Sequence, residues 1–196
     1  MLIPAFQLHL GDPILAGLAC VGKYDGKHPS LTCATSGGKL FIHSPHTSQL
    51  ESTLSTQVKY LNINKQISAV VAGELDSSLG RELLMVGTHT DLLAYDVEEN
   101  ADHFFKEVTD GVNTMLFGHI ANIEPPLAVV GGNCSLQGFD HEGNELFWTV
   151  TGDNVTALAF ADIDNDGQQE LLVGSDDFEI RIFQNEDVIA ESTEAE

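Results

Sequence analysis

Basic residues are the scarcest class in this 196-residue chain: eight Lys and Arg stand against thirty Asp and Glu, for a net charge of −22. That deficit excludes direct binding to a phosphate backbone, so no nucleic acid is expected as a partner, and it excludes direct binding to an anionic membrane. Two meanings of the surplus acid stay open: it keeps the chain soluble, or it forms a surface that meets basic partner surfaces. Cysteine is sparse and odd in number, Cys20, Cys33 and Cys134, with no CxxC pair. Cys20 and Cys33 sit in apolar runs and read as buried free thiols of a reducing compartment. No apolar run approaches the ~20 residues of a membrane helix. The start "MLIPAFQLHLGD" lacks the basic region and cleavage site of a signal peptide. A soluble, cytoplasmic chain is expected.

Catalytic signatures are missing as well. There is no GxSxG elbow, no GxxxxGK phosphate loop and no HExxH helix. Gly131, Gly132 and Asn133 read as a hairpin turn. His43 and His46 flank Pro45 at a strand exit without accompanying Cys or carboxylates, a poor metal pair. The single tryptophan, Trp148, is expected in the core. No enzyme is expected.

What is present is a repeat. Val112–Val150 aligns with Val155–Ser192 at a spacing of 43, matching Gly131 with Gly174 and Val112 with Val155. The segment from Ile67 fits the same template with Gly87, and a weaker copy from Ala16 places Thr35 at the glycine position. Each copy runs from an apolar stretch through a polar loop to a run such as "LLMVG", a short turn and an alternating run such as "EIRIFQ". "HFFKEV" and "ELFWTV" supply a fourth strand. Short strands broken by Gly, Asp and Asn, four per unit of about 44 residues, predict an all-β protein, a β-propeller of four-stranded antiparallel blades. Four blades are expected, at approximately 1–50, 63–109, 110–152 and 153–190. "TSQLESTLSTQVKYLN", residues 47–62, reads as an insertion or flexible loop, and the acidic tail from Asn185 as a frayed end or the cut edge of a longer protein. Either the four blades form a ring, or they are an incomplete portion of a larger propeller whose unclosed end exposes strand edges and an apolar blade face for self-association.

The stretches "GKYDGKHPSL", "LLMVGTHTDLLAYDV" and "GGNCSLQGFDHEGNELFWTVTGDNV" closely resemble the N-terminal region of the Bardet–Biedl syndrome protein 2 family, over nearly the whole chain. The resemblance implies a propeller larger than four blades, which favours the incomplete portion. It also implies a non-enzymatic scaffold subunit of the BBSome, a coat-like complex that sorts membrane proteins to and from cilia. The partners implied are other BBSome subunits and membrane-protein cargo. The implied setting is the cytoplasm and cytoskeleton at the cilium, the ciliary base or basal body and the centriolar region.

One motif remains. "DIDNDGQQE", Asp162–Glu170, places three carboxylates at alternate positions. An EF-hand needs Glu at its twelfth position, which here is Val173, so that reading fails. The stretch resembles the nine-position calcium loop of integrin-type propellers. On that resemblance Asp162, Asp164 and Asp166 supply side-chain oxygens, Gln168 its carbonyl and Glu170 the closing carboxylate, where the usual residue is Asp. "DNDG" is also an excellent turn in its own right. At the three Asp positions the third blade has His119, Ala121 and Ile123, and the second has Glu74, Asp76 and Ser78. In the glycine register Glu170 replaces Leu31, Leu83 and Leu127. The loop therefore closes without three acids, and their mutual repulsion suggests a compensating, structural Ca²⁺. The alternative function is a cation-responsive binding module in which this loop regulates an interface.

Overall fold

The computed structural model describes residues 10–46, 58–120 and 122–193. Among them, sixteen strands form four sheets, each an antiparallel meander of consecutive strands. Blade one comprises β1 (Ile14–Gly22), β2 (Ser30–Thr35), β3 (Lys39–His43) and β4 (Val58–Asn62). Blade two comprises β5 (Ile67–Gly73), β6 (Leu83–Thr88), β7 (Asp91–Asp96) and β8 (Ala101–Glu107). Blade three has β9 (Thr114–Gly118), β10 (Leu127–Gly131), β11 (Ser135–Phe139) and β12 (Glu145–Val150). Blade four has β13 (Val155–Ala161), β14 (Glu170–Ser175), β15 (Glu179–Gln184) and β16 (Asp187–Thr193). The helical content of the described residues is one 3₁₀ turn, Ser77–Leu79.

The blades stack through their first strands: β1 packs on β5, β5 on β9 and β9 on β13, so β4, β8, β12 and β16 form the rim. The core is correspondingly a series of slabs between blades. Leu84 and Val86 of β6 join the slab against blade one, whereas Leu83 and Met85 join the slab against blade three. Burial of both faces explains why the middle strands read as continuous apolar runs, while rim strands such as β16 are exposed along their whole length.

Two close approaches set the spacing of the slabs. A Cβ on Gly87 would lie 2.3 Å from Val112 Cγ1, and one on Gly131 would lie 2.4 Å from Val155 Cγ1. In each pair the valine belongs to the entry of the next blade. On the inner strands, Gly73 and Gly118 likewise leave room for Phe117 and Phe160. Gly174, the fourth-blade equivalent, meets nothing nearer than Ala157 Cβ of its own sheet, at 3.7 Å.

Several expectations change. Residues 58–62 of the expected insertion are β4, paired with β3 from Val58 opposite His43 to Asn62 opposite Lys39. The first blade therefore extends to Asn62, beyond residue 50, because only this strand satisfies the outer edge of β3. Residues 47–57 lie outside the described residues. The acidic tail is not frayed as far as Thr193, since β16 pairs with β15. In the first blade, Ala34 rather than Thr35 matches the glycines, because Ala34 faces Leu40 as Gly87 faces Leu92 and Gly131 faces Leu136. Trp148 is 51% exposed. In the apolar rim strand "LFWTV" composition cannot choose between the two faces, and Phe147 is the residue turned inward.

Replacing Gly87 by Ala is expected to cost about 1–3 kcal/mol through overpacking against Val112. The same change at Gly174 should be neutral or stabilising by up to ~1 kcal/mol. Urea denaturation of the two variants checks the contrast, and equal losses would refute the slab geometry.

Candidate functional site

The acidic stretch is the loop between β13 and β14, whose ends Ala161 and Glu170 face each other. Asp162, Asp164 and Asp166 are exposed, and one carboxylate oxygen of each lies within 4.8 Å of the others. Backbone donors hold each of these carboxylates: Gly167 N–H donates to Asp162 Oδ2 at 3.1 Å, Asp166 N–H to Asp164 Oδ1 at 3.1 Å, and Gln168 N–H to Asp166 Oδ1 at 2.7 Å. The tight curl needs left-handed backbone at Asn165 (φ 62°) and Gly167 (φ 90°). Val173, the twelfth position of an EF-hand, is a buried strand residue.

Glu170 differs from the three aspartates in being 0% exposed. Its Oε2 accepts a 2.8 Å hydrogen bond from Ile163 N–H, inside the loop, while Oε1 has no hydrogen-bond partner. Leu83 and Leu127 hold this register position in blades two and three, opposite Gly73 and Gly118. In blade one the position belongs to Ser30, opposite Gly22, not to Leu31. Glu82 is no counterpart, since its Oε2 accepts from Lys23 N–H. The second blade closes its own loop differently: Asp76 accepts from both Ser78 N–H and Ser78 Oγ–H. A hydroxyl donor thus answers the carboxylate there, where blade four has a further acid. The structure gathers the three Asp side chains into one cluster, with Glu170 reaching the same loop from beneath, and ties Gln168 in through its backbone N–H.

The second feature is the outer face of blade four. Strand alternation turns Leu171 and Val173 toward blade three, and Leu172 and Gly174 the other way. Ile180, opposite Gly174, is 52% exposed, whereas its register equivalents Leu40, Leu92 and Leu136 are 0% exposed. Phe178, in the turn between β14 and β15, is 70% exposed and adds apolar surface. Among the described residues no further sheet covers this face. The glycine register aligns Ile180 with leucines in the other three blades and so marks an apolar contact position, while its exposure is visible only in the fold.

His43 is buried in β3, and His46 stacks on His28 with ring centroids 4.9 Å apart. His28 and Asp25 pair at 2.7 Å, and the His28 backbone N–H, aided by its ring, holds the Asp25 carboxyl well below the usual range. All three cysteines are free, and burial pushes the Cys20 thiol up to about 11. An unreactive thiol at that position fits a packing role. Behind the open face, Arg181 ties the turn of blade four together: it donates to Asp177 at 2.7 Å and to Glu191 at 2.8 Å, and pairs with Glu179.

Comparison with known proteins gives the following. The profile of the family described as "Ciliary BBSome complex subunit 2, N-terminal" matches residues 20–118, and the one described as its middle region matches residues 157–196. The chain is 52% identical to BBSome complex member BBS2 of Rattus norvegicus and 50% identical to that of Homo sapiens. Both alignments cover 100% of this chain and 28% of the relative, so the chain spans under a third of the length of these proteins. BBSome complex member bbs-2 of Caenorhabditis elegans is 40% identical over 64% of this chain and 17% of its own length. Among solved structures, the crystal structure of BBS1N in complex with ARL6DN, soaked with lead, superposes with a TM-score of 0.69 at 14% identity. That match covers 93% of this chain and 56% of the other, and shows a common propeller fold.

The Arg181 cluster makes stability depend on pH. Its hydrogen bond, with a second from Ser175 Oγ–H, lowers the Asp177 carboxyl from 3.8 to about 2. A depressed folded-state value means the contribution is present above the ordinary carboxylate range and disappears as pH falls from about 4 to about 2. Asp177→Asn should therefore lower the melting temperature at pH 7 and converge on the parent near pH 2. A difference that stays constant across this window, followed by circular dichroism, would rule the linkage out.

Proposed function

We propose that this chain, which belongs to the family of ciliary BBSome complex subunit 2, contributes a non-enzymatic scaffold surface to a BBSome-type coat. In this reading it joins other subunits of that complex and serves the sorting of membrane-protein cargo to and from cilia. Its place of action is the cytoplasm at the cilium and its base, including the basal body and centriolar region. One observation carries the interaction role: blade four presents Ile180 and Leu172 on a face whose equivalents in the other blades, among them Leu92, Leu136, Met85 and Val129, are packed against a neighbouring sheet. An apolar face with the form of a sheet-on-sheet contact is suited to receive a further sheet, of the same protein or of a partner. The rim and loops around it carry much of the chain's excess acid, which selects partners with basic margins.

A second reading makes that surface responsive to a cation. It is favoured by the position of the acidic loop, whose Gly167–Gln169 arm forms a shallow cleft with His119, Asn122 and Glu124 of blade three. Whatever tightens the loop would alter this cleft and the rim beside it.

Both readings meet in one binding experiment. The immobilised chain should retain at least one purified BBSome subunit, and Ile180→Glu should weaken that retention at least tenfold, about 1.4 kcal/mol, without changing the melting temperature. Equal retention by parent and variant would remove the blade-four face from the interface. If light scattering shows parent dimers that Ile180→Glu dissolves, the face serves self-association instead. Retention that changes when calcium is exchanged for a chelator selects the cation-responsive reading.

A further inference from the structure

We propose that the groove between blades two and three, at the end of the sheets where β5 leads to β6 and β9 to β10, receives an extended, arginine-bearing segment of a partner protein. The inference goes beyond the blade-four face and does not rest on it, since the two surfaces share no residue.

The groove exists because neighbouring loops stand apart at this junction and not at the one before it. Between blades one and two the corresponding loops lie directly on each other. Lys23 N–H donates to Glu82 Oε2 at 2.8 Å, Glu82 N–H donates to the Lys23 carbonyl at 3.2 Å, and a Cβ on Gly26 would strike the Gly80 carbonyl. Between blades two and three the loops leave a groove of about 880 Å³ instead, within the roughly 300–1,000 Å³ of ligand clefts. Its floor is the end of the slab between these blades: Leu75 is buried there, and Phe117 fills the space that Gly73 leaves open. Pro125 and Pro126 complete an apolar lining that is stiff, because proline fixes its own backbone. Past His119 and Glu124, which the two share, the groove continues into the shallower cleft beside Gly167–Gln169. An open depression that crosses two blade junctions suits an extended chain better than a compact small molecule.

Charge selects the occupant. Glu74, Asp76 and Glu124 line the groove, and no Lys or Arg does. Glu74 and Glu124 are exposed, and the donors of Ser78 hold the Asp76 carboxyl below its ordinary range, so it stays ionised. Carboxylates above an apolar floor match the two halves of an arginine side chain. Its methylene stem lies along apolar surface while its permanently charged head stays at the polar rim. The planar guanidinium also stacks on an aromatic ring such as Phe117 and bonds a carboxylate through two parallel N–H groups, which a lysine ammonium does not do. An apolar residue beside the arginine covers the rest of the Leu75 and proline floor. Ligands carrying phosphate or carboxylate are repelled by the same rim.

The test is fluorescence polarisation of a labelled hexapeptide of alternating leucine and arginine, titrated with the 196-residue chain. Saturable one-to-one binding is expected, weakening as sodium chloride rises from about 50 to about 500 mM. Glutamine in place of the arginines should abolish binding, and lysine in their place, or glycine in place of the leucines, should weaken it. Glu74→Gln with Glu124→Gln, both at exposed positions, should weaken binding at least about tenfold with the melting temperature unchanged. Asp102→Asn with Glu107→Gln, exposed on the rim strand β8, removes the same two charges and should bind like the parent. Ile180→Glu should also bind like the parent, which separates failure of this proposal from failure of the blade-four reading. The proposal is overturned if the peptide does not bind saturably to a chain whose far-UV spectrum shows folded β-structure. It is equally overturned if the groove variant binds like the parent, or if the two double variants lose affinity alike, since attraction is then general to the acidic surface. Equal binding of the lysine peptide would overturn the assignment of arginine.

Discussion

The architecture depends on a steric requirement between neighbouring blades. The second strand of one blade must carry no side chain, or a very small one, where the valine or isoleucine entering the next blade comes to rest. Gly87 receives Val112 and Gly131 receives Val155, while Ala34 packs in one slab with Ile67. Because each middle strand is sandwiched in this way, its two faces belong to two different slabs, and every blade depends on its neighbour for half of its burial. Polar pairing at the turns is secondary and peripheral. Lys65 with Asp91 and Arg81 with Asp96 fix the corners of blade two but do not fill its faces.

The same requirement explains what is unusual about blade four. Gly174 keeps the small residue of the series but receives nothing, and Ile180 stands half in solvent where three leucines are enclosed. The face has the form of a sheet-on-sheet contact and is bordered by carboxylates such as Asp176, Glu179 and Asp187. Asp177 and Asp25, both held below the ordinary carboxylate range, are answered by donors of their own turns.

The acidic loop sits on the inner end of this exposed blade. Its aspartates are shaped by local backbone donors, so the three exposed carboxylates alone would be an ordinary turn. Glu170 changes that view because it lies below the loop, in a leucine's position, with half of its carboxylate unsatisfied. The contrast with Asp76, whose loop is closed by a serine hydroxyl, shows that the fold has a cation-free way of making the same connection.

Much of this was legible in the linear pattern. The 43-residue spacing of Gly131 and Gly174, with β-branched runs on either side, determined the four-stranded blades, because a strand buried on both faces must be apolar throughout and small at one fixed position. The alternation of Asp162, Asp164 and Asp166 and the Gly167 turn determined a curled acidic loop, since those are local conformational preferences. Other features lie beyond local pattern. "VKYLN" has no glycine or turn signal to mark it as a rim strand, and only the unpaired edge of β3 makes it β4. Trp148 faces solvent because strand alternation in β12 turns Phe147 into the slab and Trp148 to the other face, a fact of register rather than of composition. The alignment of Ser30 with Glu170 follows from the register of β2 on β3, where Ala34 faces Leu40 as Gly174 faces Ile180. Tertiary structure alone decided that Glu170 is enclosed and Ile180 exposed, because burial depends on which sheet stands opposite and not on the residue's own neighbours in the chain.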